Sequence, residues 1–368
     1  MYNDIYMLWL SFMLPHVNSR KLNRIIEIYG TARAAFMAQP EDLARAASLS
    51  PQAARVFSER HSLHYIETLL EKLQNMGIAY LSRESEYFPT LLKEIPDPPV
   101  GIFCIGELPP NDIPKVAVIG SRKCSEYGLT AARILAKPLA EAGVVVVSGM
   151  ARGIDSMAHR GALTGSGKTI AVLGCGVDIC YPSENKDLRE EIINNGCVLS
   201  EYPPGTSPQP GFFPARNRII SGLSLGVIVV EAAKKSGTLI TVDQALDQGR
   251  EVFAVPGNIS SRLSEGTNAL IRECAIPIAD HTDILFALGI TPNEDLLQKN
   301  DETSENFLAK NLATEEKQVY TRLSFEPVST DKLMETTGLS LGQIILSCAQ
   351  LEIKGLARKL PGQRYVKV

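Results

Sequence analysis

The sequence has no long apolar run. Its most hydrophobic early stretch, Ile5 to Leu14, is broken by Ser11 and is too short for a transmembrane helix. Neither a basic leader nor a small-residue cleavage site accompanies it, so a cytoplasmic location is expected. Paired cysteines are also missing. The seven cysteines are scattered, and the near pair Cys175 and Cys180 has no second pair or histidine cluster to complete a zinc site. Cys104, Cys175 and Cys197 lie within or beside apolar runs, where reduced, buried thiols belong. There is no excess of positive charge either. A formal net charge of −4 at pH 7 excludes a uniformly basic nucleic-acid binder, but not a local basic cleft.

Two nucleotide signatures are absent. Gly165-Ser166-Gly167-Lys168-Thr169 resembles the end of a phosphate loop, but Ala162 occupies the first required glycine position. The segment also precedes the strand-like run Ile170–Leu173, whereas such a loop must follow a strand and open a helix. The dinucleotide fingerprint fails at Arg122, which stands two positions after Gly120 in place of a second glycine. No cofactor and no metal are expected.

What is present is a soluble, multidomain pattern. A length of 368 residues, 45% hydrophobic and 21% charged, suits two or three ordinary globular domains. Residues 1–78 read as a small helical, helix-hairpin or SAM-like domain. Apolar residues recur at helical spacing in Leu22, Ile25, Ile26 and Tyr29, Gly30-Thr31 separates two helices, and Pro40 and Pro51 fall in first turns. A proline-rich segment from Tyr87 to Pro110 reads as an extended lead-in. Continuous apolar runs then alternate with helical segments: Val116–Ile119, Val144–Val147, Ile170–Leu173, Val198–Leu199, Val227–Val230, Val252–Val255 and Ile276–Ile278. Runs without polar alternation are strands covered on both faces. Residues 79–290 are therefore expected to form an α/β, Rossmann-like, doubly wound, mostly parallel sheet with its ligand at the carboxyl ends of the strands. Residues 291–313 are polar and acidic and read as a linker. Residues 314–368 show three helical patterns and two strand-like pieces around Pro361-Gly362, the order of a winged helix. Its recognition-helix position, about Ser340 to Lys354, carries little positive charge, so packing or partner binding is at least as good a reading as DNA contact.

Four loops after strands carry the chemistry. Gly120-Ser121-Arg122 combines a tight turn with a bidentate phosphate donor. Ser148 to Asp155 adds glycines, Arg152, and an Asp155–His159 pair one helical turn apart, for which helix capping and sheet packing are favoured over acid–base chemistry. Phe212-Phe213-Pro214-Ala215-Arg216-Asn217-Arg218 has the cations and aromatics that track phosphates and stack bases in single-strand binding. Core packing of the phenylalanines is an equal reading. The two arginines favour binding, because unpaired cations at a strand-end cleft are costly without an anion. Lys234-Lys235-Ser236-Gly237-Thr238 sets two lysines and hydroxyls at a helix start, the most phosphate-like signal in the chain.

In this order and spacing the loops resemble the DprA/Smf family of DNA-processing proteins. The likeness runs through Gly120-Ser121-Arg122, Ser125 and Tyr127-Gly128, then Ser148 to Asp155 with Ala158-His159. It continues in Tyr181-Pro182, Ser200-Glu201-Tyr202-Pro203-Pro204-Gly205, Phe213 to Arg218, Lys235 to Thr238 and Pro256-Gly257. The resemblance implies a non-enzymatic protein that binds single-stranded DNA as a homodimer. It also implies help in loading the RecA recombinase during natural transformation and homologous recombination. Its two basic motifs fall on Gly120, Ser121 and Arg122 and on Arg216, Asn217 and Arg218. Lys234, Lys235 and Ser236 join the candidate contacts from the phosphate-like loop, together with Arg152 and Phe213. Cys274 departs from the glycine common in relatives.

Two rival readings remain at this level. The Ser-Gly-Thr turn also resembles the phosphate loop of nucleotide phosphoribohydrolases, although Thr241 or nearby apolar residues stand where their catalytic glutamate would fall. A duplex-reading regulator working through the winged helix is the other.

Overall fold

The computed structural model describes residues 4–14, 16–273, 275–291, 312–324, 327–354 and 356–367, in two compact units divided after Pro292. The first opens with helices α1 (Asp4–Ser11), α2 (Ser19–Tyr29), α3 (Ala32–Met37), α4 (Pro40–Ala46), α5 (Pro51–Glu59) and α6 (Leu63–Asn75). Local signals set their bounds. The Asn18 side chain accepts from the Lys21 amide to start α2, and Gly30, at φ 77°, ends it. Thr31 then caps α3 through the Ala34 amide, and Pro40 and Pro51 begin α4 and α5. The apolar run at the start of the chain is core: Met7, Leu8, Trp9 and Leu10 are fully buried. Phe36 and Phe57 meet the Trp9 ring edge-on at 5.1 and 5.5 Å. The same cluster takes in Val100, Tyr202 and part of Phe212, so these helices pack directly onto the α/β portion.

That portion runs β1 (Ala79–Ser82), α7 (Thr90–Lys93), β2 (Gly101–Gly106), β3 (Lys115–Ile119), α8 (Glu126–Glu141), β4 (Val145–Ser148), α9 (Ile154–Thr164) and β5 (Thr169–Val172). It continues with α10 (Lys186–Asn194), β6 (Gly196–Ser200), α11 (Phe212–Gly222), β7 (Gly226–Val229), α12 (Thr238–Asp247), β8 (Glu251–Ala254), α13 (Glu265–Glu273), β9 (Ile276–Pro277) and α14 (His281–Ala287). The sheet order is β1-β2-β6-β5-β4-β3-β7-β8-β9. From β6 to β9 every pairing is parallel, while β1 and β2 add an antiparallel edge. That edge includes a strand where an extended lead-in was expected. Strand alternation explains the all-apolar runs. Val116 and Val118 pack on one face with Ala132, Leu135 and Leu139 of α8. Ala117 and Ile119 point to the other, among Ile219 and Ile220 of α11 and Val242 of α12.

The order of the strands positions a ligand site. From β3 the chain steps to β4, β5 and β6 on one side, then returns to lay β7, β8 and β9 on the other. The reversal lies between β3 and β7, so the connections leaving their carboxyl ends part and open a crevice. The decoy segment Gly165–Thr169 closes α9 and leads into β5, so it opens no helix.

The second unit contains α15 (Thr314–Arg322), β10 (Val328–Ser329), α16 (Thr330–Thr337), α17 (Leu341–Ile353), β11 (Ala357–Leu360) and β12 (Arg364–Lys367). Its antiparallel sheet has the order β10-β12-β11, and Val319, Leu333, Ile344, Leu351 and Tyr365 form its core. This is a winged helix. α17 has no lysine or arginine and exposes Leu341, Ile345, Leu346 and Ile353. Cys274 and nearly all of the linker lie outside the described residues. Among the described residues no helix is long and apolar enough to cross a membrane.

Candidate nucleic-acid interface

A crevice of about 450 Å³ occupies the switch point. Its walls come from the turn after β3 (Gly120 to Lys123), the start of α9 (Ala151, Asp155), α11 (Arg216, Asn217) and the turn into α12 (Ala233, Lys235 to Thr238). Arg122, Lys123, Arg216 and Lys235 line it against one carboxylate, Asp155. A chain with net negative charge thus concentrates cations at one point.

The turns are held tightly. The Ser121 amide donates to the Glu231 carbonyl at 2.8 Å, joining the β3 and β7 connections. The Ser121 hydroxyl is engaged in its own turn, donating to the Lys123 carbonyl at 3.0 Å. Gly153, at φ 78°, lets α9 begin against this turn, because a Cβ there would lie 2.5 Å from the Ser121 carbonyl oxygen. At the other wall the Ser236 hydroxyl accepts from the Thr238 amide at 3.2 Å, opening α12 with its amino end lining the crevice.

Arg216 is the deepest cation. It is 3% exposed, and its Nη1 donates to the carbonyls of Gly149 and Val172. Burial lowers its pKa to about 10, with Asp155 opposing the fall and Arg122 adding to it. It stays charged at neutral pH. Burial likewise pushes the Asp155 carboxyl up, against the pull of Arg216. Gly149 makes this packing possible, since a Cβ there would come within 2.7 Å of both the Arg216 guanidinium and the Asp155 carboxylate.

The segment expected to be a basic loop is the start of helix α11, and this separates its two arginines. Residues two apart on an α-helix differ by about 200° around the axis, so Arg216 and Arg218 face opposite ways. Arg218 is buried, donates to Glu201 at 2.6 Å and approaches Asp97 at 3.4 Å. Asp97 in turn accepts from Asn23 of α2 at 2.9 Å. The expectation of an unpaired Arg218 in the crevice is therefore corrected: it ties the helical segment to the sheet, and its charge is already compensated.

The other candidates divide. Gly120, Ser121, Arg122, Arg216, Asn217, Lys235 and Ser236 all line the crevice. Arg152, Phe213, Arg218 and Lys234 do not. Arg152 is exposed and held by both carboxylate oxygens of Glu184. Lys234 is exposed outside the walls. Phe213 adjoins the crevice through Arg122, whose guanidinium lies 5.4 Å from its ring. The Tyr181 ring also lies 5.4 Å from that of Phe213, tilted by 34°. A cation followed by two aromatic rings suits stacked bases. The sequence did not place among the candidate contacts Lys123, although it stands beside Arg122, or Tyr181, whose motif was noted but whose proximity to Phe213 has no sequence signal. His159 is not part of the site. It is fully buried, with Nδ1 2.7 Å from the Thr169 hydroxyl, which itself donates to the Val146 carbonyl. The Nδ1 therefore carries the proton, and burial lowers the pKa to about 3.

A mostly parallel sheet with a basic crevice at its reversal point, in a chain that also carries a winged helix, defines a Rossmann-like α/β protein. Comparison with known proteins specifies the family. Residues 79–289 match the model of DNA recombination-mediator protein A, and residues 304–363 match the DprA winged helix domain. The chain belongs to this DprA/Smf family of recombination mediators. Protein Smf from Synechocystis sp. is 32% identical over 97% of both chains. The DNA processing protein DprA from Streptococcus pneumoniae is 46% identical over 59% of this chain and 80% of its own. The X-ray structure of DprA from Streptococcus pneumoniae covers 76% of this chain and 96% of its own, with 37% identity and a TM-score of 0.66. DNA processing protein A from Helicobacter pylori, described for its single-stranded DNA binding mode, has 32% identity and a TM-score of 0.52 over 59% of this chain and 97% of its own.

Proposed function

We propose that this chain binds single-stranded DNA along the crevice and acts without catalysis, protecting incoming strands and helping to load RecA during natural transformation and homologous recombination. One observation carries the binding reading: four cations converge on a strand-end crevice with a single carboxylate among them. An ion of the opposite sign completes such a site, and a phosphodiester backbone supplies one at each nucleotide. Arg122 and Lys235 are the exposed phosphate contacts, Arg216 the fixed charge beneath them, and Phe213 with Tyr181 the stacking surface beside them. Lys123 joins the set. Arg152 and Lys234 lie further out, where a longer strand could reach them. The strand binding described for the Helicobacter pylori relative supports the ligand. The RecA and homodimer assignments are part of the proposal, and the match to the recombination-mediator family model supports them.

The test is salt-dependent binding of a short oligothymidylate. Each phosphate contact removed should lower the slope of log K against log salt by about 0.7. Arg122→Ala and Lys235→Ala should each do so and together weaken binding alike for different sequences. A folded double variant with unchanged affinity and slope would show that the strand lies elsewhere. Release of free base from nucleoside monophosphates by the wild-type protein, abolished by crevice variants, would instead establish an enzyme.

A further inference from the structure

A second cavity, of about 580 Å³, lies where α6 and the α1–α2 connection meet the loop between β6 and α11. Its charged lining is of one sign. Arg60 and Lys72 contribute and no carboxylate does, while His16 adds an imidazole beside them. Helical spacing produces this selection. Tyr65, Thr68, Leu69 and Lys72 recur at i, i+3, i+4 and i+7 on the face of α6 that lines the cavity, whereas Glu67 and Glu71 fall off that face.

Arg60 is a built feature of the wall. Its Nη1 donates to the Phe12 carbonyl at 2.6 Å, its guanidinium lies 5.8 Å from the Tyr65 ring, and its own carbonyl accepts from Trp9 at 3.0 Å. His16 feels this charge: burial and Arg60 both lower its pKa. Opposite, Thr206, Ser207 and Gln209 line the cavity, and their side chains make no hydrogen bond among the described residues. Neither nearby carboxylate lines the cavity: Glu201 of this loop pairs with Arg218, and Asp178, in the β5–α10 connection, accepts from the Gly205 amide at 2.9 Å.

We propose that this cavity is a second oxyanion site, one that takes a phosphate group between Arg60, Lys72 and His16 and the hydroxyls of Thr206 and Ser207. Two sources share that chemistry. A nucleic-acid strand could continue here from the crevice, because the loop that lines the cavity runs directly into α11, which carries Arg216 and Asn217. A small phosphorylated molecule is the other source. The strand source rests on the function proposed above; the oxyanion site does not.

The experiment uses the full chain. Titration of the histidines by NMR, with and without inorganic phosphate, reads the site directly. Bound phosphate offsets the repulsion from Arg60, so the His16 pKa should rise while the other four histidines hold. Lys72→Gln, an exposed change, should reduce the response, and Arg60→Gln should abolish it. The same response in Arg122→Ala separates this site from the crevice. Salt slopes then identify the source. If Lys72→Gln lowers the slope by about 0.7 for a long oligothymidylate but not a short one, a strand occupies the site. A phosphate response with unchanged slopes assigns it to a small phosphorylated molecule. If phosphate leaves His16 unmoved, the site does not exist, whatever the slopes do.

Discussion

Replacing Arg218 with methionine separates binding from architecture within one basic motif. Arg218 and Glu201 are both almost fully buried and lie 2.6 Å apart. Removing the guanidinium leaves the Glu201 carboxylate in a dry site, where burial already pushes its pKa up and Arg218 is the main opposing influence. Breaking a buried pair from one side costs about 3–5 kcal/mol, a large part of the stability of an ordinary domain. The paired replacement Arg218→Met with Glu201→Gln removes the stranded charge and should recover most of that loss. One further observation favours recovery: Arg218 Nη1 is buried without a hydrogen-bond partner, so the native pair is itself incompletely satisfied. The assay is urea unfolding of the three proteins, with strand binding measured at low temperature where each is folded. Arg218→Met should unfold at markedly lower urea yet keep the wild-type salt slope. If it keeps full stability and loses slope by one phosphate contact, Arg218 faces the strand and the division of α11 described above is wrong.

Two further outcomes are expected. His159 has a folded pKa of about 3 against an ordinary 6.5, so the unfolded chain takes up its proton first as pH falls. Its contribution is complete above pH 6.5 and is lost progressively toward 3, on the order of a few kcal/mol; His159→Leu should flatten that part of the pH–stability profile, and an unchanged profile would remove His159 as its source. Deleting residues 314–368 should leave most single-strand binding in place, because α17 offers no cation to a phosphate. Loss of binding on deletion would favour the duplex-reading alternative.

The fold was largely legible because parallel strands buried on both faces write themselves as unbroken apolar runs. Val116–Ile119 and Val227–Val230 correspond to β3 and β7, whose divergence makes the crevice. The antiparallel edge was not legible. Gly101–Gly106 is surrounded by prolines that mark turns, and its pairing with β6 joins residues about a hundred positions apart. At the site, composition located the right loops but not their conformation. Treating Phe212 to Arg218 as a loop hid the rotation that sends Arg216 and Arg218 to opposite sides. Pro214 fits the first turn of a helix as readily as it fits a loop, so the residues there did not decide between them. Tyr181 and Phe213 meet only in three dimensions, which no local pattern could report.

The alternation along α11 also bears on how this protein can change over time. One flank of the helix is tied through Asp97 to Asn23 of the opening helices, and the next flank holds a charge toward the strand-end crevice. Two demands are thus written into neighbouring positions without competing for the same side chain. Substitutions at Arg218 are answerable to Glu201 and Asp97, those at Arg216 to Gly149, Val172 and Asp155, and the two sets share no partner. Such a helix lets ligand preference drift while the scaffold is conserved, provided no residue is inserted or lost between them. A single insertion there would turn one of the two side chains by about 100° relative to the other, so that both could no longer keep their facing.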